Sequence, residues 1–203
     1  MEIIIVVSFS YLCGSIPFGL ILTKYFSGKD IRKIGSGNIG ATNVLRTGNK
    51  LLAFTTLLLD VLKGYFPVAL SLHFYPELYQ ISALITFLGH IFPAWLKFKG
   101  GKGVATYLGI LFALSIELSF LFIFTWIVTS LIFKYSSVSS MFASFTILIV
   151  TLAKENVLES LDSNFNIENN IQLLLFFFFI LIIFSHRKNI FNLKNGTEKK
   201  IKL

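Results

Sequence analysis

Residues 51–72 read LLAFTTLLLDVLKGYFPVALSL, 22 positions with two charges, Asp60 and Lys63. A helix needs about 20 mostly apolar residues to cross the hydrocarbon of a bilayer. The stretch therefore predicts a transmembrane helix. Its two charges stand three apart, so they are neighbours on one helix face. A charge at that depth is costly unless it is paired or turned toward the protein interior. Asp60 and Lys63 are therefore expected to pair inside a helix bundle.

Further apolar runs occupy 3–23, 78–96, 103–116, 119–133, 138–153 and 171–185. With 51–72 they predict an all-α polytopic membrane protein, a seven-transmembrane-helix bundle forming one domain over 1–203. Two of them, 103–116 and 138–153, are short and fit helices that are tilted less or shielded by neighbours. Composition agrees: 55% of 203 residues are hydrophobic, 14% are charged and mean hydropathy is +0.76. The first run is not expected to be a cleaved leader. Glu2 stands where a signal peptide has basic residues, and Pro17 and Gly19 interrupt the apolar stretch. Gly14-Ser15-Ile16-Pro17 in that run, and Gly89-His90 with Pro93 in the third, predict kinks and close helix contacts.

Charge placement orients the chain. The connections 24–50, 97–102, 134–137 and 186–203 carry 6, 3, 1 and 6 basic residues, which is 16 of the 18. Seven of the ten acids, Glu2, Glu77, Glu117, Glu155, Glu159, Asp162 and Glu168, fall on the opposite side. By the positive-inside rule the basic connections and the C-terminus are cytoplasmic and the N-terminus is outside. The net charge of +8 is thus a topology signal, with attraction to anionic lipid and anionic substrates. It is not a nucleic-acid footprint, which needs a basic face on a soluble module. The polar, acidic segment 154–170 reads as an external loop. Cys13 is the sole cysteine and has no intrachain partner, and His73, His90 and His186 are scattered, so no metal site is expected.

Three cytoplasmic segments are unusual. Residues 35–46, GSGNIGATNVLR, hold Gly35, Gly37 and Gly40 among Ser36, Asn38, Thr42 and Asn43, and end on Arg46. Glycine-rich backbone forms anion-binding nests, and an arginine adds a fixed cationic fork suited to phosphate. Residues 98–103, FKGGKG, lead with Gly101, Lys102 and Gly103 into a helix starting near Val104. A helix start binds anions through its free N–H groups. His186 and Asn189 close the last span and share a face if the helix continues. Each segment also fits a plainer role. The glycines serve as turns, the lysines as anchors that snorkel to headgroups, and His186 as an interfacial histidine. His90 reads as a packing residue or a support behind the site rather than a catalytic group. Neither glycine segment has the spacing of a Walker A loop.

The runs GSIPFG at 14–19, DIRKIGSGNIGATNVLR at 30–46, DVLKG at 60–64, GHIFPAWLKFKGGKGVAT at 89–106 and HRKNI…GTEKK at 186–200 resemble the bacterial acyl-phosphate:glycerol-3-phosphate acyltransferase family (PlsY type). They occur in order from end to end of the chain. The resemblance implies a seven-helix enzyme of the bacterial inner membrane whose active site faces the cytoplasm. It implies acyl transfer from acyl phosphate to the 1-hydroxyl of sn-glycerol 3-phosphate. The products are lysophosphatidic acid and inorganic phosphate, at the first step of phospholipid synthesis. Ser36, Arg46, Lys102, His186 and Asn189 match family functional positions. Gly35, Gly37, Asn38, Thr42, Asn43, Gly101 and Gly103 are expected at the substrates, and Ser140 is the best match for a further contact near Ser137 and Ser139. The expected partners are acyl phosphate, glycerol 3-phosphate and membrane lipid, with no cofactor, no metal and no obligatory protein partner. The chain departs from the family pattern at Lys188, usually Glu, and at Asn192, often basic.

Two rival functions fit less well. Glycerol-phosphate acyltransferases that use acyl-CoA or acyl-carrier protein carry His-x4-Asp, but the positions five after His73, His90 and His186 hold Leu78, Trp95 and Phe191. A transporter needs polar residues at mid-membrane, whereas here the polar segments lie on one face.

Overall fold

The computed structural model describes residues 1–153 and 171–201; the segment read as an external loop, 154–170, lies outside the described residues. Among the described residues every regular element is helical, with no strand. The helices are α1 (Glu2–Ser15), α2 (Phe18–Ser27), α3 (Ala41–Leu45), α4 (Lys50–Phe74), α5 (Tyr79–Ile91), α6 (Val104–Leu114), α7 (Ile116–Phe133), α8 (Ser136–Ala153), α9 (Ile171–Ser185) and α10 (Arg187–Lys194). Five segments are long and apolar enough to cross a membrane: Glu2–Ser27, Lys50–Phe74, Pro76–Leu96, Ile116–Phe133 and Ser136–Ala153. The pair α9 and α10, bent by 54°, makes a sixth if counted as one span. The seventh expected span, α6, has 11 residues and is about 16 Å long at 1.5 Å per residue, half the hydrocarbon thickness.

The chain forms two compact units, Met1–Leu114 and Ser115–Leu203. In the first, helices meet backbone to backbone at glycines. A Cβ on Gly14 would fall on the Thr86 carbonyl, and one on Gly89 would meet the α1 backbone. Gly64 and Gly109 bring α4 and α6 together in the same way. Small residues permit such approach in lipid, where dispersion and hydrogen bonds, not water exclusion, hold helices together. The Ser10 and Ser82 hydroxyls bond each other at 2.9 Å between α1 and α5. In the second unit α8 packs against both α7 and α9.

Two helix breaks occur where the sequence predicts kinks, and both are sealed by side chains. Pro17 separates α1 from α2. The Ser15 carbonyl there accepts from Trp95 Nε1 at 2.7 Å, and the Ile16 carbonyl accepts from Lys63 Nζ at 2.6 Å. At Phe92–Pro93 the Phe92 carbonyl accepts from the Tyr11 hydroxyl, which in turn accepts from Ala94 N–H. Buried backbone polar groups in lipid have no water to turn to, so each break needs such a partner.

Lys63 does two tasks at once. Its Nζ lies 2.6 Å from Asp60 Oδ1, with both residues buried, and it caps the Ile16 carbonyl. Lys63→Met therefore leaves both an unpaired buried carboxylate and an unsatisfied carbonyl. The expected loss is about 3–5 kcal/mol, the typical cost of breaking a buried pair. Asp60→Leu/Lys63→Met removes the stranded charge and recovers part of that loss, but not all, because the Ile16 carbonyl stays unpaired. Thermal unfolding of the purified variants in detergent measures this. A double variant as stable as the wild type contradicts the capping role.

Candidate functional site

The segment 28–49, a connection by sequence, is a folded layer. Gly28 adopts φ +62° and ends α2. Asp30 then caps a turn at Ile31–Lys33, and its carboxylate accepts from Arg32 N–H at 3.0 Å and pairs with the Arg32 guanidinium at 2.7 Å. The Arg32 hydrogen bonds and charge hold the Asp30 carboxyl down at about 2. Beneath the layer lies a small apolar core of Ile31, Ile39, Val44, Leu52 and Ala53, flanked by Leu20, Leu22, Ile34 and Leu96. The alternation of apolar Ile31, Ile34, Ile39 and Val44 with small polar residues is what permits this packing.

Within the layer the glycine-rich run is organised by Asn43. Its Nδ2 donates to the carbonyls of Ile31, Ile34 and Asn38 at 3.1, 2.9 and 2.7 Å. Its Oδ1 accepts from Ser36 N–H at 3.0 Å and, at a longer 3.5 Å, from Arg46 Nη1. Gly35 has φ +60°, and a Cβ there would land on Asn43 Oδ1. Much of the run's backbone is spent internally: Gly37 N–H bonds Ile34 O at 2.9 Å and Ile39 N–H bonds Asn38 Oδ1 at 2.8 Å. What faces outward is the exposed Ser36, whose hydroxyl makes no hydrogen bond among the described residues, with Arg46 half-buried at the end of α3. Asn38 and Thr42 are half-buried, and Gly37 is exposed at φ +72°.

The second glycine segment packs down on α5. Gly100 N–H bonds Ile91 O at 3.0 Å and Gly101 N–H bonds His90 O at 3.1 Å. A Cβ on Gly101 would fall on His90 Nε2, and one on Gly103, at φ +82°, would enter the Phe87 ring. His90 is 4% exposed with Nδ1 2.9 Å from Thr106 Oγ1. It thus supports the segment from beneath, as the packing reading expects. The half-buried Lys102 stands between these two packed glycines, two residues before α6. The Gly100 and Gly101 N–H groups are thus engaged, and the first turn of α6 follows Lys102 closely.

In the second unit the last span does not continue straight. The chain bends by 54° between α9 and α10, at His186. His186 is 1% exposed, and its Nδ1 lies 2.8 Å from the Ile182 carbonyl. A carbonyl only accepts, so this hydrogen bond places the proton on Nδ1. Asn189 sits in the first turn of α10, 7% exposed. Ser140 is buried: its hydroxyl donates to the Ser136 carbonyl at 2.8 Å and accepts from Trp126 Nε1 at 3.1 Å.

One residue organises this part of the chain without having been singled out from sequence. The Glu198 carboxylate accepts from Asn189 Nδ2 at 2.6 Å, Ser137 Oγ at 3.0 Å and Asn192 Nδ2 at 3.4 Å. The tail beyond it is tied to the α7–α8 turn by Ile201 N–H, which donates to Lys134 O at 2.7 Å. The available signal was that Glu198 is the only acid in the basic tail 186–203. Asn192, one of the departures from the family pattern, is among its partners.

The chain matches the glycerol-3-phosphate acyltransferase family model over residues 4–196. Similar proteins described as glycerol-3-phosphate acyltransferase include one from Pelagibacter ubique, 52% identical over 203 residues and covering 100% of both chains. Another, from Mesorhizobium japonicum, is 47% identical over 199 residues, covering 98% of this chain and 96% of that one. Crystal structures of PlsY, an integral membrane glycerol 3-phosphate acyltransferase, are similar in fold. The glycerol 3-phosphate form gives a TM-score of 0.87 at 33% identity, covering 100% of this chain and 96% of the other. The lysophosphatidic acid form gives 0.85 at 32%, covering 98% and 95%.

Removing the Glu198 carboxylate strips three donors of a charged acceptor. Glu198→Ala is expected to cost about 1–3 kcal/mol, and Glu198→Gln, which keeps one acceptor oxygen, clearly less. Thermal unfolding midpoints of the two variants measure this. An alanine variant as stable as the wild type removes the tail's anchoring role.

Proposed function

The chain belongs to the glycerol-3-phosphate acyltransferase family, and on that premise we propose that it transfers a fatty acyl group from acyl phosphate to the 1-hydroxyl of sn-glycerol 3-phosphate. The related PlsY structures in glycerol 3-phosphate and lysophosphatidic acid forms supply the acceptor and product for this reading. The observation that carries the donor assignment is the lack of Asp five residues after any of the three histidines. Without that pair the acceptor hydroxyl has no dedicated His–Asp base, and an activated donor with phosphate as leaving group needs none.

The proposed topology has seven spans in the bacterial inner membrane, with α6 as the short one and the chain acting as one domain. The N-terminus is outside, and 24–50, 97–102 and the C-terminal segment are cytoplasmic. Positive charge on those segments supports it.

Electrostatics sets the main demand on the residues. Both substrates are dianions near neutral pH. At about 6 Å and an effective dielectric of about 20, each unit pair repels by roughly 2.8 kcal/mol, and four pairs by about 11 kcal/mol. Arg46, Lys102 and the first-turn N–H groups of α6 offset this. Ser36 donates a hydrogen bond to phosphate or hydroxyl oxygen and is not acylated. No Ser–His–acid arrangement supports a nucleophile there. Lys102 also stabilises the tetrahedral oxyanion or the departing phosphate. In the reaction the acceptor oxygen bonds to the acyl carbon and the bond from that carbon to the phosphate oxygen breaks. The hydroxyl proton passes to a phosphate oxygen of the donor. His186 and Asn189 bind and orient the acceptor, and Gly35, Gly37, Asn38, Thr42, Gly101, Gly103 and Ser140 line the substrates.

Purified protein is expected to release phosphate from acyl phosphate only when glycerol 3-phosphate is present, and to leave acyl-CoA untouched. Turnover of acyl-CoA at a comparable rate sinks the donor assignment. In the same assay His186→Ala raises KM for glycerol 3-phosphate and keeps the pH–rate limb of the wild type. Loss of that limb with KM unchanged would make His186 the proton acceptor instead.

A further inference from the structure

Asn43 presents a valence problem that the substrate-contact expectation does not resolve. A carboxamide has two N–H donors and two lone pairs on oxygen. In this chain the nitrogen faces three carbonyls, those of Ile31, Ile34 and Asn38, at 2.7–3.1 Å. Carbonyls only accept, so the orientation of the amide is determined: nitrogen toward the loop interior, oxygen toward Ser36 and Arg46. Two N–H groups shared among three acceptors are fully used. The oxygen takes Ser36 N–H at 3.0 Å and Arg46 Nη1 at 3.5 Å, which uses both lone pairs. The residue is 2% exposed. No donor, no acceptor and almost no surface remain for a ligand.

We infer that Asn43 is a positioning residue, which sets the Ser36 hydroxyl through one buried amide and does not touch the substrates. The inference rests on the reading that Ser36 serves the acyl-transfer reaction.

Three features of the loop support it. The amide ties the turn at Ile31–Ile34 and the stretch at Asn38 to α3, so it closes the 31–46 run on itself at five points. Arg46 stands three residues after Asn43 and Ser36 seven before it, so one side chain reaches both functional ends of the run. Gly35 has no Cβ where one would strike Asn43 Oδ1 and crowd Arg46 Cδ. The glycine immediately before Ser36 is thereby explained by the amide's approach rather than by a ligand. No other side chain of similar size offers donors on one face and an acceptor on the other. Aspartate turns an oxygen toward three carbonyls, and leucine removes all five contacts, although the Ile31 and Ile34 carbonyls keep the N–H groups of Ile34 and Gly37.

A double-mutant cycle separates positioning from general support of the fold. Asn43→Ala, Ser36→Ala and the double variant are purified as full chains, and kcat/KM for glycerol 3-phosphate is measured with acyl phosphate as donor, per monodisperse protein from size exclusion. A residue acting through the Ser36 hydroxyl has little left to act on once that hydroxyl is gone. Asn43→Ala is expected to lower kcat/KM at least about tenfold in the Ser36 background and no more than about twofold in the Ser36→Ala background. Equal factors in both backgrounds, or no effect of Asn43→Ala, overturn the inference and leave the reading of Ser36 intact. Full activity of Ser36→Ala overturns that reading, and the inference falls with it. Should Asn43→Ala fail to give monodisperse protein, Asn43→Asp takes its place in the cycle with the same expected and contrary outcomes. If neither folds, Asn43 is a folding residue and the positioning role is withdrawn.

Discussion

Lys63 reaches from α4 to the Ile16 carbonyl while paired to Asp60, and the layout of the first unit depends on that contact. The reason is the solvent. In hydrocarbon a helix may break only where its freed carbonyls find another donor. Pro17 breaks the first span and Pro93 follows the break at the end of α5. Both breaks release chain toward the polar segments, α2 and the 28–49 layer in one case, the glycine segment before α6 in the other. The Trp95 indole, the Tyr11 hydroxyl and the Lys63 ammonium seal the two breaks. The contact with Asp60 offsets part of the cost of placing a lysine at that depth.

The same constraint recurs in the polar segments themselves. A loop offering N–H groups to an anion must not collapse, and must not leave buried groups unpaired. The 31–46 run meets this by spending its inward groups on Asn43 and its apolar residues on a core of its own. The segment before α6 meets it by laying Gly100 and Gly101 on the carbonyls of Ile91 and His90. Each is thereby folded on its own, which under the proposed function leaves little ordering cost for the binding of two dianions. In the second unit Glu198 does the equivalent for Asn189.

Much of this was legible in the sequence because it is periodic or local. Apolar run length marked the spans, Pro17 and Pro93 marked the breaks, and the three-residue spacing of Asp60 and Lys63 marked their pairing. The family motifs marked the chain as an acyltransferase. Length failed at α6, where an 11-residue helix sits in an apolar run of 14. The last span was legible as an apolar run, but its 54° bend at His186, which stands at the N-cap of α10, was not. The work of Asn43 and Glu198 was not legible. Side-chain bonds to backbone carbonyls or to residues 61 positions away, as for Ser137 and Glu198, leave no periodic trace. The same holds for Gly101, whose spacing reads as an anion nest and whose N–H is in fact given to His90.

The central claim is that fixed positive charge on pre-folded segments holds a phosphate dianion. Calorimetric titration of glycerol 3-phosphate into purified wild type and Lys102→Ala tests it most directly. The account predicts that the variant binds at least about tenfold more weakly, the loss of one charge-assisted contact. Equal affinity in the two proteins would contradict it.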